Sequence, residues 1–219
     1  MPRLLFEKTG NAVWISHLDL MRLFQRAFKR AGLPLTHTQG FNPRPSVSIA
    51  LPLSVGTQSH CELLDFDLDG AAVSCEEIHQ KLNNALIEGV RVLKVYENGN
   101  KIRHLSYLDC RVTFMYDKVV CQQDTEQIRA LFGRTSLPVE KKGKNGVTQQ
   151  DIIPMIRFLS VNRENEHTIT IQARICCQNP TLNPAQLTTA VQLYLPELTP
   201  NGVTYTREEI YDTEENIFR

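Results

Sequence analysis

The chain has 219 residues, 42% of them hydrophobic and 22% charged, which excludes a disordered chain and supplies the core of one large or two small domains. Its 24 Lys+Arg against 24 Asp+Glu exclude a polybasic tail or a uniformly basic nucleic-acid sleeve. The balance is uneven along the chain: net +5 over residues 1–50, −5 over 51–100, +4 over 101–150 and −4 over 151–219, an alternation that suggests a duplicated unit with a basic front and an acidic back.

Residues 3 to 8 read as a first strand, left through a Gly10-Asn11 turn. Ser16 with Asp19 three places on forms a capping box, and Leu20, Leu23, Phe24, Ala27, Phe28 and Ala31 then make an apolar stripe of helical period that Gly32 stops. In Gln39-Gly40-Phe41-Asn42-Pro43-Arg44-Pro45, one glycine and two prolines preclude regular structure and set a stiff turn. Val47 to Leu53 alternates as a strand whose Pro52 makes it an edge, and Cys61 to Leu68 alternates again. A helix capped by Ser74 and Glu77 runs to Gly89, and Val90 to Tyr96 is the next strand. This half has the order β-α-β-β-α-β.

The second half repeats that order: a strand from about Leu105 to Tyr116, a helix from Thr125 to Phe132, strands near 137–142, 152–161 and 168–177, a helix, and a strand from Val203 to Tyr211. The last helix has a clear start, with Asn183 as cap, Pro184 in the first helical position and Gln186 as capping-box partner. The expected fold class is α+β, two tandem ferredoxin-like units with antiparallel sheets. The units are expected at 1–98 and 104–219, the second with an insertion between 143 and 165 that the pattern does not place.

Arg22, Arg26 and Arg30 lie at i, i+4 and i+8, with Lys29 beside them. Like charges so spaced cost an isolated helix about 0.2–0.5 kcal/mol per pair, so the row needs either an outside carboxylate or a function. A solvated face near the helix C-terminus is the plainer reading. The functional reading joins the row to the following turn. The guanidinium of Arg44 and those of the helix suit phosphate or carboxylate, the amides of Gln39 and Asn42 supply orienting hydrogen bonds, and Phe41 offers a flat face to stack or pack. His17, at a helix start where the dipole disfavours its charged form, is a further candidate, as are Arg30 and the loop lysines Lys141, Lys142 and Lys144.

The remaining signals are negative. There is no phosphate-binding loop, nucleophile elbow, zinc-protease helix, dinucleotide fingerprint or Cys-x-x-x-Cys-x-x-Cys triplet, so no catalytic or metal-binding residue is assigned. The six cysteines read as reduced, mostly buried thiols. No apolar run reaches the roughly 20 residues that span a bilayer and no leader pattern is evident, which sets the expectation of a cytoplasmic protein with no membrane partner.

The run from Trp14 through Leu35, then Gln39-Gly-Phe-Asn-Pro-Arg-Pro, then Ala50-Leu-Pro-Leu-Ser-Val-Gly56, resembles the hallmark of the bacterial radical SAM-linked (radical SAM-associated) protein family. The resemblance is specific over residues 3 to 70 and looser from Lys144 to Pro154. It implies a domain found beside or fused to a cobalamin-binding radical SAM protein. The partner would carry the iron–sulfur cluster, S-adenosylmethionine and cobalamin, and this chain would bind none of them. Tandem ferredoxin-like units also resemble RNA-processing proteins of the repeat-associated type, an analogy of fold that a pI near 7.0 does not favour.

The expected function is therefore an accessory protein of a radical SAM enzyme that binds or presents a substrate such as RNA through Arg22, Arg26, Gln39, Phe41, Asn42 and Arg44. Two alternatives stay open: a small metal-independent RNA-processing enzyme using His17, and a pure protein-interaction module whose Arg row docks an acidic surface.

Overall fold

The computed structural model describes residues 1–70, 72–143 and 146–219, with Lys142 and Gly143 described by their backbone. The chain divides into two compact units, residues 1–102 with Arg219 and residues 103–218. In the first, β1 (Arg3–Lys8), α1 (His17–Arg30), β2 (Val47–Ile49), β3 (Thr57–Phe66), α2 (Cys75–Ala85) and β4 (Val90–Tyr96) follow one another. The strands lie side by side in the order β4-β1-β3-β2, each antiparallel to its neighbour.

The local chemistry of α1 accounts for both its ends and its buried side. The Ser16 hydroxyl oxygen accepts the Asp19 N–H at 3.2 Å, satisfying one of the helix's orphan donors. Gly32, at φ +67°, ends the helix, and the Leu33 N–H returns to the Phe28 carbonyl at 3.0 Å in a Schellman closure that a side chain at Gly32 would strain. Leu20, Phe24, Ala27 and Phe28 are buried, while Leu23 and Ala31 at the stripe's margins are half-buried. Phe24 packs edge-on against Phe6 with ring centroids 4.7 Å apart, and Phe28 lies 5.0 Å from Phe66. Cutting Phe24 back to alanine would cost about 3–5 kcal/mol.

Between β1 and α1 the chain makes a 3-10 turn, Gly10–Trp14, where the sequence suggests only a two-residue turn. Lys8 holds it: the side chain is fully buried, and its ammonium donates to the carbonyls of Val13 at 3.1 Å and Ile15 at 2.8 Å. Burial lowers its pKa. Gly89 closes the same corner from the other side. Its carbonyl accepts the Thr9 N–H at 2.7 Å, and a Cβ there would stand 2.5 Å from the Thr9 oxygen. Thus the entry to α1 is fixed by strand and loop together. β2 is shorter than its alternation suggests, ending at Ile49 before Pro52, whereas β3 begins at Thr57, four residues before the expected start.

The second unit contains β5 (Leu105–Met115), α3 (Gln122–Phe132), β6 (Pro138–Gly143), β7 (Gly146–Asp151), β8 (Ile156–Asn165), β9 (Thr168–Cys176), α4 (Ala185–Tyr194) and β10 (Gly202–Asp212). Its sheet runs β10-β5-β9-β8, again antiparallel throughout. Alternate residues of β5 and β9 are buried, among them Val112 and Phe114 with Ile169 and Ile171. The added material is a separate two-stranded hairpin, β6 paired with β7, set between α3 and β8. Its limits therefore differ from the expected 143–165, because β8 belongs to the main sheet. The Asp151 carboxylate closes the hairpin base by accepting the N–H groups of Leu137 at 2.9 Å and Ile153 at 3.1 Å.

Helix α3 starts three residues earlier than the apolar pattern suggests, since the Asp124 carboxylate caps the Cys121 N–H at 2.7 Å. At α4 the expected cap is in place: Asn183 Oδ1 accepts the Ala185 N–H and Gln186 Oε1 accepts the Asn183 N–H, both at 3.0 Å. The cysteines are free thiols; Cys61, Cys110 and Cys177 are buried, Cys75 and Cys176 half-buried, and Cys121 exposed. No helix among the described residues is long and apolar enough to cross a membrane.

Candidate functional site

Arg22, Arg26 and Arg30 advance by about 40° per step around α1, so they share one edge of the helix. That edge borders a cleft of about 440 Å³ whose lining also includes Ile15, Asp19, Leu23 and Ile87. Three guanidinium groups thus face an apolar wall, with Asp19 as the carboxylate in the lining. Arg22 donates to Asp19 Oδ1 at 2.9 Å and Arg30 donates to the Ala85 carbonyl at 2.6 Å. The Ser16 hydroxyl, which donates to the Asp19 carboxylate at 2.7 Å, and then Arg22 hold that carboxyl below its ordinary pKa, with Arg26 adding a weaker attraction. One carboxylate cannot neutralise three cations, so the cleft keeps a positive excess.

The Gln39 to Pro45 segment is the tip of a pinned hairpin. The Thr38 N–H donates to the Arg44 carbonyl and the Ser46 N–H to the Thr36 carbonyl, both at 2.8 Å, while the Thr38 hydroxyl accepts the Arg44 N–H at 3.1 Å. The stem is sewn to β3's continuation through Thr36 N–H to the Asp67 carbonyl at 3.0 Å. Gln39, Phe41, Asn42 and Arg44 are all exposed, and Phe41 is wholly so. A phenyl ring held in water on an anchored stem plugs no core.

The structure brings Arg22, Arg26 and Arg30 to one cleft and the turn residues to another part of the same unit. The base of the hairpin, at His37 and Pro45, borders a second cleft of about 420 Å³ on the Gln25 and Lys29 edge of α1. His17 occupies the first position of α1 and is half-buried. Lys141 lies on β6 in the other unit, where its ammonium reaches the Thr181 carbonyl at 3.3 Å. Lys142 is described by backbone alone, and Lys144 lies outside the described residues. Among the described residues no group of three or more His, Cys, Asp or Glu is arranged to hold a metal ion.

The periodicity of α1 did not reveal the cleft's opposite wall. Ile87 comes from the turn after α2 and is an exposed large apolar residue, as are Trp14, 70% exposed, at the end of the 3-10 turn, and Leu18, 67% exposed, at the start of α1. Trp14's ring lies over Gly56, where a Cβ would come within 3.2 Å of it. The available signal was an isoleucine just past a helix end and the chain's single tryptophan.

A family model described as "Uncharacterized protein conserved in bacteria (DUF2344)" matches residues 2–184. No curated protein matches the chain. Among solved structures, a chain of a Cbf5-Nop10-Gar1 complex shares the fold at a TM-score of 0.51 and 6% identity, over 95% of this chain and 48% of that one. This chain therefore spans about half the length of that relative. An unknown protein from Galdieria sulphuraria is 12% identical over 94% of this chain and 96% of its own, at a TM-score of 0.27.

Proposed function

The chain belongs to the bacterial DUF2344 family, and on that premise we propose that it is an accessory binding protein that presents an anionic substrate, RNA, to a cobalamin-binding radical SAM enzyme. The observation that supports this reading is the convergence of Arg22, Arg26 and Arg30 on a cleft whose lining holds one carboxylate. Guanidinium forks bind phosphate oxygens bidentately, and an apolar wall beside them accepts the face of a base. The partner enzyme, rather than this chain, carries the iron–sulfur cluster, S-adenosylmethionine and cobalamin. The β-α-β-β-α-β order and antiparallel pairing of each unit support reading them as tandem ferredoxin-like units, the second carrying the β6–β7 hairpin.

A role for the hairpin tip follows from its exposure. Phe41 stacks on an unpaired base while Arg44, Gln39 and Asn42 supply polar contacts around it, so the two edges of α1 engage successive parts of one strand. Filter binding of single-stranded RNA across a salt series tests the reading: log affinity should fall with log salt by roughly 0.7 per phosphate engaged. A flat response, or an Arg26→Glu protein that binds as well as the parent, would sink it.

A second reading rests on Trp14 and Leu18, whose exposure beside the Arg row suits a protein–protein contact, since Trp and Arg dominate such interfaces. Here the start of α1 docks the radical SAM partner directly. Trp14→Ala with Leu18→Ser should abolish co-purification of that partner from nuclease-treated lysate and leave RNA binding intact; retained co-purification would remove this reading.

A further inference from the structure

Away from α1, a buried amide marks the start of α4. Gln186 is 9% exposed; its Oε1 completes the helix cap, and its Nε2 meets no acceptor among the described residues. Glutamate would cap the Asn183 N–H equally well and would add favourable negative charge at a helix N-terminus. Glutamine in this position instead retains a donor, at the cost of burying it unbonded.

Gln186 lines a cleft of about 310 Å³ together with Glu140, Lys141, Thr181, Asn183, Ala185 and Thr189. The β6–β7 hairpin supplies the opposite side. Lys141 Nζ donates to the Thr181 carbonyl at 3.3 Å, and Gln150 Nε2 donates to the same carbonyl at 3.2 Å, so the hairpin is tied to the loop that leads into α4. Lys141, the Gln186 side chain with its orphaned amide, and the positive end of a ten-residue helix therefore border one cleft. The Ala185 N–H is already held by Asn183, so the helix contributes its dipole rather than a free amide. Glu140 opposes an anion, but it is exposed, where water weakens its field relative to that of the buried Gln186 amide.

We propose that this cleft binds a phosphate group, with Lys141 Nζ and Gln186 Nε2 donating to its oxygens. The site is independent of the α1 cleft, in residues and in unit. Its ligand is either a free phosphate ion or ester, or a phosphodiester of a nucleic-acid strand; the donor chemistry is the same for both.

Two titrations of the full chain distinguish these sources, both in the Arg26→Glu background so that the α1 cleft contributes about tenfold less. Inorganic phosphate at constant ionic strength should broaden its own phosphorus resonance saturably, and an oligouridylate of about ten nucleotides should bind saturably if the phosphodiester is the ligand. Gln186→Glu keeps the cap acceptor and should melt no lower than its parent, yet weaken the bound ligand at least about tenfold; Lys141→Met should weaken it similarly. Saturable binding of either probe, lost in both variants, supports the site and names the source. Binding of neither probe, or binding that Gln186→Glu leaves unchanged, overturns the proposal.

Discussion

Apart from the β6–β7 hairpin the two units share an element order and a strand order, yet α1 of the first treats arginine in the opposite way to the sheet of the second. In the second unit two sheet arginines meet carboxylates and a third a tyrosine hydroxyl. Arg174 is gripped by Asp109 at 2.8 and 3.0 Å and by Glu215 at 2.7 Å while stacking 3.7 Å over the Tyr211 ring. Arg111 meets Glu208 at 2.9 Å, and Arg157 donates to the Tyr107 hydroxyl at 2.6 Å. In the first unit α1 sets one carboxylate, Asp19, against Arg22, Arg26, Lys29 and Arg30. A matched cation stabilises its own fold and has little left to offer an anion. A surplus cation contributes almost nothing to stability and keeps its donors available. Arginine thus serves as a fastener on the sheet, as Arg3 also does in the first unit where Asp65 accepts from it at 2.6 and 3.0 Å, and as a free contact on α1.

This contrast makes graded predictions. Arg174→Met should destabilise the chain by about 1–3 kcal/mol in urea titration, because it strands the half-buried Asp109 carboxylate on the sheet; a loss below about 1 kcal/mol would mean the network fastens nothing. A second effect concerns the core beneath that sheet. Burial holds the Cys110 thiol protonated up to about 12 against an ordinary value of 9.0, and Cys177 likewise up to about 12. A raised folded pKa means stability that is complete below pH 9 and falls as pH rises toward 12, by up to about 1.4 kcal/mol per pH unit for each thiol. Melting curves at pH 8 and pH 10.5 should show this decline, and Cys110→Ala should make it shallower; an unchanged slope would show that the thiol is not its source.

In the first unit the effects should move from stability to binding. Arg26→Glu should lower RNA affinity by about tenfold, roughly 1.4 kcal/mol, while shifting stability by less than about 0.5 kcal/mol. Arg22→Ala should move the fold hardly at all, because its i,i+3 pair with Asp19 is exposed and screened by water. If Arg22→Ala costs as much stability as Arg174→Met, the distinction between α1 and the second unit's sheet collapses.

Reading the residues alone reached α1 with both its caps, the Asn183-Pro184-Gln186 start of α4 and the element order of the first unit. Each of these is written in contacts between residues three to five places apart, where periodicity and capping chemistry act. Strand limits were harder. β2 stops short of Pro52, and the β6–β7 hairpin was indistinguishable from sheet strands, because alternation records a strand and not which neighbour it pairs with. The buried Lys8 is an extreme case, since a lysine in an alternating run gives no hint that backbone carbonyls of Val13 and Ile15 will enclose its ammonium.

For the candidate site the division is similar. That Arg22, Arg26 and Arg30 share a helix edge follows from their spacing, and that the Gln39 to Pro45 segment is a stiff turn follows from its glycine and prolines. That the row has Ile87 for an opposite wall, that Phe41 projects wholly into solvent, and that the orphaned amide of Gln186 lies in a cleft with Lys141 were decided by tertiary structure. Local spacing determines which side chains leave a helix together. What they face is set by segments tens of residues away, whose approach depends on how the whole core packs.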